Sequence, residues 1–88
     1  MKLTAEISLY PLSDEYLDVV KEFVRALRKH DGLTLVTNAM STQVCGDYDR
    51  VFDAVSTELR ESVNRRGKQV LVCKFIVGEL DIKTHPDF

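Results

Sequence analysis

The sequence contains little cysteine, and the cysteine it has is not arranged as a metal site. Cys45 and Cys73 are the only two, and they form neither a CxxC pair nor a zinc-ligand spacing. Both lie among apolar or strand-forming residues, where free cysteine behaves as a small hydrophobic side chain. A disulfide between neighbouring strands stays open as an alternative. The pattern favours a protein of the reducing cytoplasm.

Long apolar runs and an excess of basic charge are also missing. No apolar run approaches the roughly 20 residues of a membrane-spanning helix, and residues 1–12 lack the sustained apolar stretch of a signal peptide. The formal net charge of −2 gives no electrostatic footprint for nucleic acid or an anionic membrane. Basic clusters at 25–29 and 65–68 fall near predicted helix ends, where they complement the negative helix terminus. We therefore expect neither membrane insertion nor nucleic-acid binding.

The common signatures of catalysis are absent as well. Ser8, Ser41 and Thr42 have no GxSxG context, and the glycines form neither a phosphate loop nor GxGxxG. His30 and His85 have no nearby cysteine and no metal-ligand spacing. We therefore expect no enzymatic activity, no bound metal and no cofactor.

What the sequence does contain is regular periodicity over one domain. Residues 2–10 alternate between apolar and polar side chains, which predicts a strand with one apolar face, ended by Pro11. Ser13 and Asp14 are good helix caps, and apolar residues then recur at helical spacing to about residue 30. Residues 33–40 predict a second strand.

The second half of the chain repeats this order. A short third strand is predicted within residues 41–48, ending at Gly46, where the glycine lets the chain turn. Asp47 or Asp49 would cap a second helix closed by Arg65, Arg66 and Gly67, and residues 69–79 form the last strand. The order strand–helix–strand–strand–helix–strand predicts a ferredoxin-like α+β sandwich. Its four-stranded antiparallel sheet carries both helices on one face. We place the domain at residues 1–80 and a C-terminal tail at 81–88.

The last strand is apolar on both faces, with Val70, Val72 and Ile76 on one of them. Helices cover only one face of a sheet in this fold, and a half-covered antiparallel sheet should alternate more cleanly. The second apolar face therefore needs a cover. Self-association through the sheet, as a homodimer or higher homo-oligomer, is the simplest candidate. The alternative is that the C-terminal tail folds back over this face.

Polar residues cluster where three strands end. Ser8 and Tyr10 leave the first strand, Asn38 leaves the second, and residues 41–43 open the third. The first and third strands are neighbours in this fold, so these groups would converge beneath the helices, beside Met40, Phe23 and Phe52. Apolar walls with a few fixed hydrogen-bonding groups are typical of a ligand site. The alternative is that these side chains satisfy turn backbone.

Two segments carry a resemblance to a known family. ISLYPL at 7–12 and NAMSTQVCGDYDRVFDAV at 38–55, with an amphipathic helix between them, resemble the YkoF-like thiamine/hydroxymethylpyrimidine-binding family over residues 5–80. The resemblance implies a ferredoxin-like fold that binds thiamine or its pyrimidine moiety without catalysis, in thiamine salvage or transport in the cytoplasm. Some members carry two such domains in tandem, so a homodimer would be the equivalent assembly here.

Carried over through these motifs, the implied ligand contacts lie at the strand ends and at the start of the second helix. They are Ser8, Tyr10, Asn38, Met40, Ser41, Thr42, Gln43, Asp49 and Phe52. Hydroxyl and amide groups match the acceptors and amine of an aminopyrimidine, and an aromatic ring such as Tyr10 or Phe52 can stack on it. A carboxylate, Asp49 or Glu6, would offset the positive charge of a thiazolium.

Two other functions stay open at this point. A protein-interaction or regulatory module would act through the apolar sheet face and need no small-molecule ligand. A small enzyme of the dimeric ferredoxin-like type is a third reading, disfavoured because no acid, base or nucleophile stands out.

Overall fold

The architecture is seen in a computed structural model, which describes residues 1–87. The elements are β1 (Lys2–Pro11), α1 (Tyr16–Arg28), β2 (Thr34–Thr37), β3 (Thr42–Asp47), α2 (Tyr48–Arg66) and β4 (Gln69–Val77). The four strands form one antiparallel sheet in the order β2-β3-β1-β4. This confirms the predicted ferredoxin-like α+β fold, with β1 and β3 in the centre. Phe88, the end of the predicted tail, lies outside the described residues.

The core lies between the sheet and the two helices, on the apolar face that the alternation of β1 predicts. Leu3, Ala5 and Ile7 of β1 are almost fully buried there. They pack with residues of β3, α1 and α2: Val44, Phe23, Leu27, Val51, Ala54 and Val55. We call the other side the open face of the sheet. It carries Thr4, Glu6, Ser8 and Tyr10 of β1 and, opposite them in β4, Ile76, Lys74, Val72 and Val70.

The capping prediction is confirmed in position for α2 but not for α1. Glu15, rather than Ser13 or Asp14, is the N-cap residue of α1, and Asp47 is that of α2, and neither side chain makes a capping hydrogen bond. The Asp47 carboxylate instead lies 3.0 Å from Lys2 Nζ. That hydrogen bond and the Lys2 charge lower the pKa of Asp47. The pair joins the first residue of β1 to the start of α2.

The two cysteines lie on opposite faces of the sheet. Cys45 is paired with Thr4 on the open face, whereas Cys73 is paired with Ile7 on the helix face. Both thiols are free. Because β1 separates β3 from β4, the two Cα atoms are about two strand spacings apart, beyond the reach of a disulfide. This resolves the alternative that the sequence left open.

The tail, taken as residues 78–87 that follow β4, covers only part of the open face. Thr4 Oγ1 donates to the carbonyl of Gly78 at 2.9 Å and accepts from the N–H of Leu80 at 3.1 Å. Thr4 is consequently only 6% exposed. Val70, Val72 and Ile76 are left about half exposed. Neither helix in residues 1–87 combines the length and the apolar character needed to cross a bilayer.

Candidate functional site

A notch interrupts the sheet beside β1, because β1 extends past the residue at which β3 begins. β1 pairs with β4 as far as Pro11, but it pairs with β3 only as far as Ile7, opposite Thr42. Residues 8–10 therefore have no strand beside them on the β3 side. Since peptide groups along a strand point alternately to its two sides, at least one of these three residues presents its backbone to the gap. We call this gap the notch; residues 8–10 and loop 38–41 bound it.

A cavity of about 200 Å³ lies at the notch, beneath α1. Its walls are apolar and its edge is polar, with hydroxyl and amide side chains from β1 and from the segment that joins β2 to β3. The lining residues are Ile7, Ser8, Leu9, Tyr10, Val20, Phe23, Val24, Thr37, Asn38, Ala39, Met40, Ser41 and Thr42. Pockets for drug-sized ligands are about 300–1,000 Å³. The smaller volume here suits a single aromatic ring with short substituents.

Loop 38–41 is held in place by its own first side chain. Asn38 Oδ1 accepts from the backbone N–H of Met40 at 2.9 Å and of Ser41 at 3.1 Å. The Asn38 N–H donates to the Ser41 carbonyl at 3.0 Å, and Ser41 Oγ donates to Glu6 Oε2 at 3.0 Å. The side-chain oxygen of Asn38 is thus used by hydrogen bonds within the loop, and the Ser41 hydroxyl bonds the loop to β1. Asn38 and Ser41 therefore stabilise the loop and also line the cavity, so both interpretations of these residues from sequence apply.

Replacing Asn38 with alanine should free this loop. Two backbone N–H groups lose their acceptor, and because both are exposed, water replaces it and stability changes little. Ligand binding would then have to order the loop, and we expect this entropy cost to decrease the affinity about tenfold. Titration calorimetry with thiamine and hydroxymethylpyrimidine, the ligands that the resemblance implies, measures this decrease. Asn38→Asp keeps the accepting oxygen and should restore binding, whereas equal weakening in both variants would contradict a positioning role.

Other polar groups at the notch remain available to a ligand. Tyr10 is 55% exposed, and its hydroxyl makes no side-chain hydrogen bond within residues 1–87. Ser8 Oγ has only a long contact, 3.5 Å, with the Met40 carbonyl. Thr42 is buried and shares one hydroxyl hydrogen bond of 3.0 Å with Thr37. Each hydroxyl keeps at least one donor or acceptor position unused.

The notch also opens onto the other side of the sheet. A second cavity, of about 340 Å³, lies on the open face and is lined by Glu6, Ser8, Tyr10, Met40, Ser41, Val72 and Lys74. Ser8, Tyr10, Met40 and Ser41 line both cavities. Glu6 supplies the carboxylate, with Lys74 Nζ 3.5 Å from its Oε1. A molecule seated in the notch would therefore meet apolar walls on one side and a carboxylate–ammonium pair on the other.

The predicted contacts divide into two groups. The cavity beneath α1 brings together Ser8, Tyr10, Asn38, Met40, Ser41 and Thr42. Gln43, Asp49 and Phe52 lie elsewhere. Gln43 is opposite Glu6 on the open face, in a groove beside Leu80 and Ile82 of the tail.

Asp49 and Phe52 belong to α2, which starts at the other end of β3. Asp49 lies with Met1 and Arg50, and the ring of Phe52 stacks on Phe75 with centroids 4.8 Å apart. These residues follow the polar segment closely in sequence, but β3 separates them from the notch along its whole length. Of the two carboxylates predicted to face a cation, only Glu6 lies beside the notch.

Some lining residues were not predicted as part of a site. Val20 and Val24 on α1 flank Phe23, and their helical spacing was interpreted as core packing alone. Thr37 and Ala39 complete the loop side. The signal for Thr37 was available, because it faces Thr42 across a two-strand hairpin. The valines carry no such signal, since a core face and an apolar cavity wall have the same periodicity.

Comparison with known families agrees with these motifs. A model of the YKOF-related family matches residues 2–78. The chain belongs to the YKOF-related family. The match includes β1, loop 38–41 and β4, so all strands around the notch are part of the family's domain. This confirms the resemblance drawn from ISLYPL and NAMSTQVCGDYD.

Solved structures similar to this YKOF-related chain share its fold. A proposed thiamine biosynthesis/salvage protein from Thermotoga maritima is 18% identical, with a TM-score of 0.76 over 85% of this chain and 82% of the other. A protein from Streptococcus pneumoniae is 20% identical, with a TM-score of 0.82 over 93% of each chain. A hypothetical protein from Methanocaldococcus jannascii is 28% identical, with a TM-score of 0.75 over 98% of this chain and 88% of the other. No curated protein matches the sequence.

Titratable groups elsewhere in this YKOF-related domain do not gather into a metal site. Within residues 1–87, no group of three or more His, Cys, Asp or Glu side chains is placed to hold an ion. His30 Nε2 lies 2.7 Å from Glu58 Oε2, linking the end of α1 to α2 rather than facing the notch. The geometry of the notch therefore offers hydrogen bonding, aromatic contact and one carboxylate.

Proposed function

We propose that this protein binds thiamine or its hydroxymethylpyrimidine moiety at the notch, without catalysis, and so supports thiamine salvage or transport in the cytoplasm. One observation carries the proposal. Most of the segment with the family motif, residues 38–42, forms the polar edge of an apolar-walled cavity whose volume suits a single ring. The relative from Thermotoga maritima, proposed to act in thiamine biosynthesis or salvage, supports the choice of ligand.

The chemistry of an aminopyrimidine suits the groups at this edge. Its ring nitrogens accept hydrogen bonds and its exocyclic amine donates them. The hydroxyls of Ser8 and Thr42 can do either, and the unpaired backbone beside Ser8 adds a further donor or acceptor. Tyr10 is the exposed aromatic ring at the notch, and it can stack on the flat ligand.

The carboxylate beside the notch favours a cationic extension of the ligand. Glu6 is partly exposed and accepts from Ser41 on one oxygen while Lys74 lies beside the other. Thiamine carries a positive thiazolium ring next to its pyrimidine. A ligand that reached the open face would set this ring near Glu6, so the proposal includes Glu6 as the group that offsets its charge.

The proposal contains no chemical step, because the notch offers no activated group. Its hydroxyls have no histidine beside them, and its one carboxylate is engaged by Ser41 and Lys74. General acid–base catalysis needs a group of suitable pKa within reach of the reacting atom. Binding requires only the shape and the hydrogen bonds that are present.

We also propose that the protein is a homodimer through the open face. Val70, Val72 and Ile76 form a half-exposed apolar row there, which is unusual for a face that meets water. The same observation favours the second candidate function, an interaction module that acts through this face without a small-molecule ligand. Binding of a ligand at the notch separates the two.

Thermal unfolding with candidate ligands tests the proposed function. At a hundred times the dissociation constant, a ligand adds about 2.7 kcal/mol to the free energy of unfolding. For a domain of this size that raises Tm by roughly 10–20 °C. Thiamine, hydroxymethylpyrimidine and their phosphates should be compared. No shift with any of them at saturating concentration would count against the proposal.

A pair of neighbouring substitutions locates the site. Thr42 lines the cavity, whereas Gln43, next in sequence, faces the opposite side of the sheet. Thr42→Val removes one hydroxyl at constant shape and should weaken binding about three- to tenfold, the value of one hydrogen bond. Gln43→Ala should leave the affinity for hydroxymethylpyrimidine, which has no thiazolium ring to reach Glu6, unchanged. Titration calorimetry measures both, and the reverse order would place the ligand on the open face instead.

A further inference from the structure

The apolar row on the open face is continuous with the notch. The β1–β4 register sets Val70 opposite Tyr10, Val72 opposite Ser8 and Ile76 opposite Thr4. Ser8 and Tyr10 also bound the notch, and Val72 lines its opening on the open face. A cover placed over the row would therefore also lie over that opening.

Residues 78–87 do not provide this cover. The tail crosses the sheet at Thr4, where Leu80 and Ile82 line a groove between Gln43 of β3 and Ile76 of β4 on the open face. Asp81 Oδ1 then accepts from the backbone N–H of Lys83 at 3.2 Å and of Thr84 at 3.1 Å, which turns the chain. Residues 83–87 are all exposed. The tail hydrogen bonds at Thr4 leave the Val70–Val72 end of the row open.

A second copy of the chain fits the uncovered surface in size and charge. The four strands, at their own lengths with about 3.3 Å per residue and about 4.8 Å between strands, give a flat footprint of roughly 450 Å², part of which the tail covers. Accessible area exceeds this, because it follows each protruding side chain, and a standard interface takes about 800 Å² from each partner. Glu6 and Lys74 put both signs of charge on the face, so two copies need not repel each other.

We infer that a second copy packs its open face against this one and closes the opening of the notch, so that the complete ligand site exists only in the dimer. In a two-fold assembly the same patch meets itself, so the open face of each copy covers the open face of the other. This inference rests on the proposed function. Its consequence is that ligand affinity and dimer affinity are coupled, each raising the other by the same factor.

Two adjacent residues of β4 provide a matched pair for the test. Ile76 is 54% exposed on the open face, away from the cavity lining, and Val77 is 62% exposed on the helix face. Ile76→Lys puts a charge on the open face, beside Leu80 and Ile82, where the second copy would lie. Val77→Lys puts the same charge on the helix face of the same strand. Sedimentation velocity over a dilution series gives the oligomeric state, and calorimetry gives the affinity for thiamine and hydroxymethylpyrimidine.

We expect the wild type and Val77→Lys to be dimers that bind ligand equally. Saturating ligand should lower their dimer dissociation constant at least tenfold. Ile76→Lys should be a folded monomer with at least tenfold weaker ligand binding. Should Ile76→Lys fail to fold, the wild type diluted below its dimer dissociation constant tests the same coupling, because its affinity should fall over that range.

Three results would overturn the inference. A monomeric Ile76→Lys with wild-type affinity means that one copy holds the whole site. A wild type that binds ligand but stays monomeric at all concentrations means that something other than a second copy covers the row, and the proposed function survives. A wild-type dimer that binds neither ligand refutes the proposed function, and the coupling with it.

Discussion

Replacing Phe23 with alanine is expected to lower the free energy of unfolding by about 3–5 kcal/mol and to weaken ligand binding at least tenfold. Phe23 is 2% exposed and packs in the core, but its side chain also forms the inner wall of the notch cavity. Removing the ring leaves a void in the core, which accounts for the loss of stability. It also removes the ring against which a ligand at the inner wall would pack, so van der Waals contact with the ligand is lost there.

Leu27 is the matched control for this substitution. It lies one turn further along α1, is fully buried in the same core, and does not line the cavity. Leu27→Ala should cost about 2–5 kcal/mol of stability and leave ligand affinity unchanged at temperatures where the variant is folded. Urea unfolding and calorimetry separate the two effects. Equal affinity in Phe23→Ala and the wild type would show that the ligand does not reach the inner wall.

Gly46→Ala is expected to lower the free energy of unfolding by about 1–3 kcal/mol, the usual cost of overpacking. A Cβ on Gly46 would lie 2.7 Å from Leu33 Cδ2 and 2.8 Å from the carbonyl oxygen of Gly32. A leucine methyl can move aside, but a backbone carbonyl can do so only if the turn before β2 shifts. The midpoint of urea unfolding should fall at constant slope.

A double-mutant cycle tells the two contacts apart. Leu33→Ala shortens the side chain that a Cβ on Gly46 would meet, while the Gly32 carbonyl stays in place. The two substitutions should therefore be non-additive by about 0.5 kcal/mol or more, with part of the Gly46→Ala cost remaining in the double variant. A full wild-type stability in Gly46→Ala would mean that the chain accommodates the methyl group freely.

Gly46 also shows where interpretation from sequence was wrong. Its place between an apolar strand and a helix cap predicted a turn, but it lies within β3 and is not among the glycines with positive φ. Those are Gly32, Gly67 and Gly78. A glycine that makes room for a neighbouring backbone has no signature in the residues around it. The residue that it accommodates, here Gly32, lies before β2 and is distant from it in sequence.

The fold itself was predictable because its signals are local. The alternation of residues 2–10 and the helical spacing after Tyr16 each identify an element from its own residues. The order of these elements then leaves few arrangements open. The two apolar faces of β4 were also read correctly, since the register places Val70, Val72 and Ile76 on the open face and Cys73 and Phe75 on the other.

The site was predictable only in part, because it depends on where strands stop. Ser8, Tyr10 and loop 38–41 meet because β3 pairs with β1 only as far as Ile7. No residue pattern states that register, so Gln43 was predicted to share the pocket with Thr42. The alternation of side chains in β3 puts the two on opposite faces. Phe52 was included because the family motif extends to it and its ring could stack on a pyrimidine, whereas α2 carries it to the opposite end of β3.

The most direct test of ligand binding at the notch is a map of the amide resonances of the labelled protein during titration with thiamine or hydroxymethylpyrimidine. The largest shifts should fall on residues 8–10 and 37–42, while residues 47–53, at the start of α2, stay unmoved. Saturable shifts centred on residues 47–53, or no shift at ligand concentrations in the millimolar range, would contradict ligand binding at the notch.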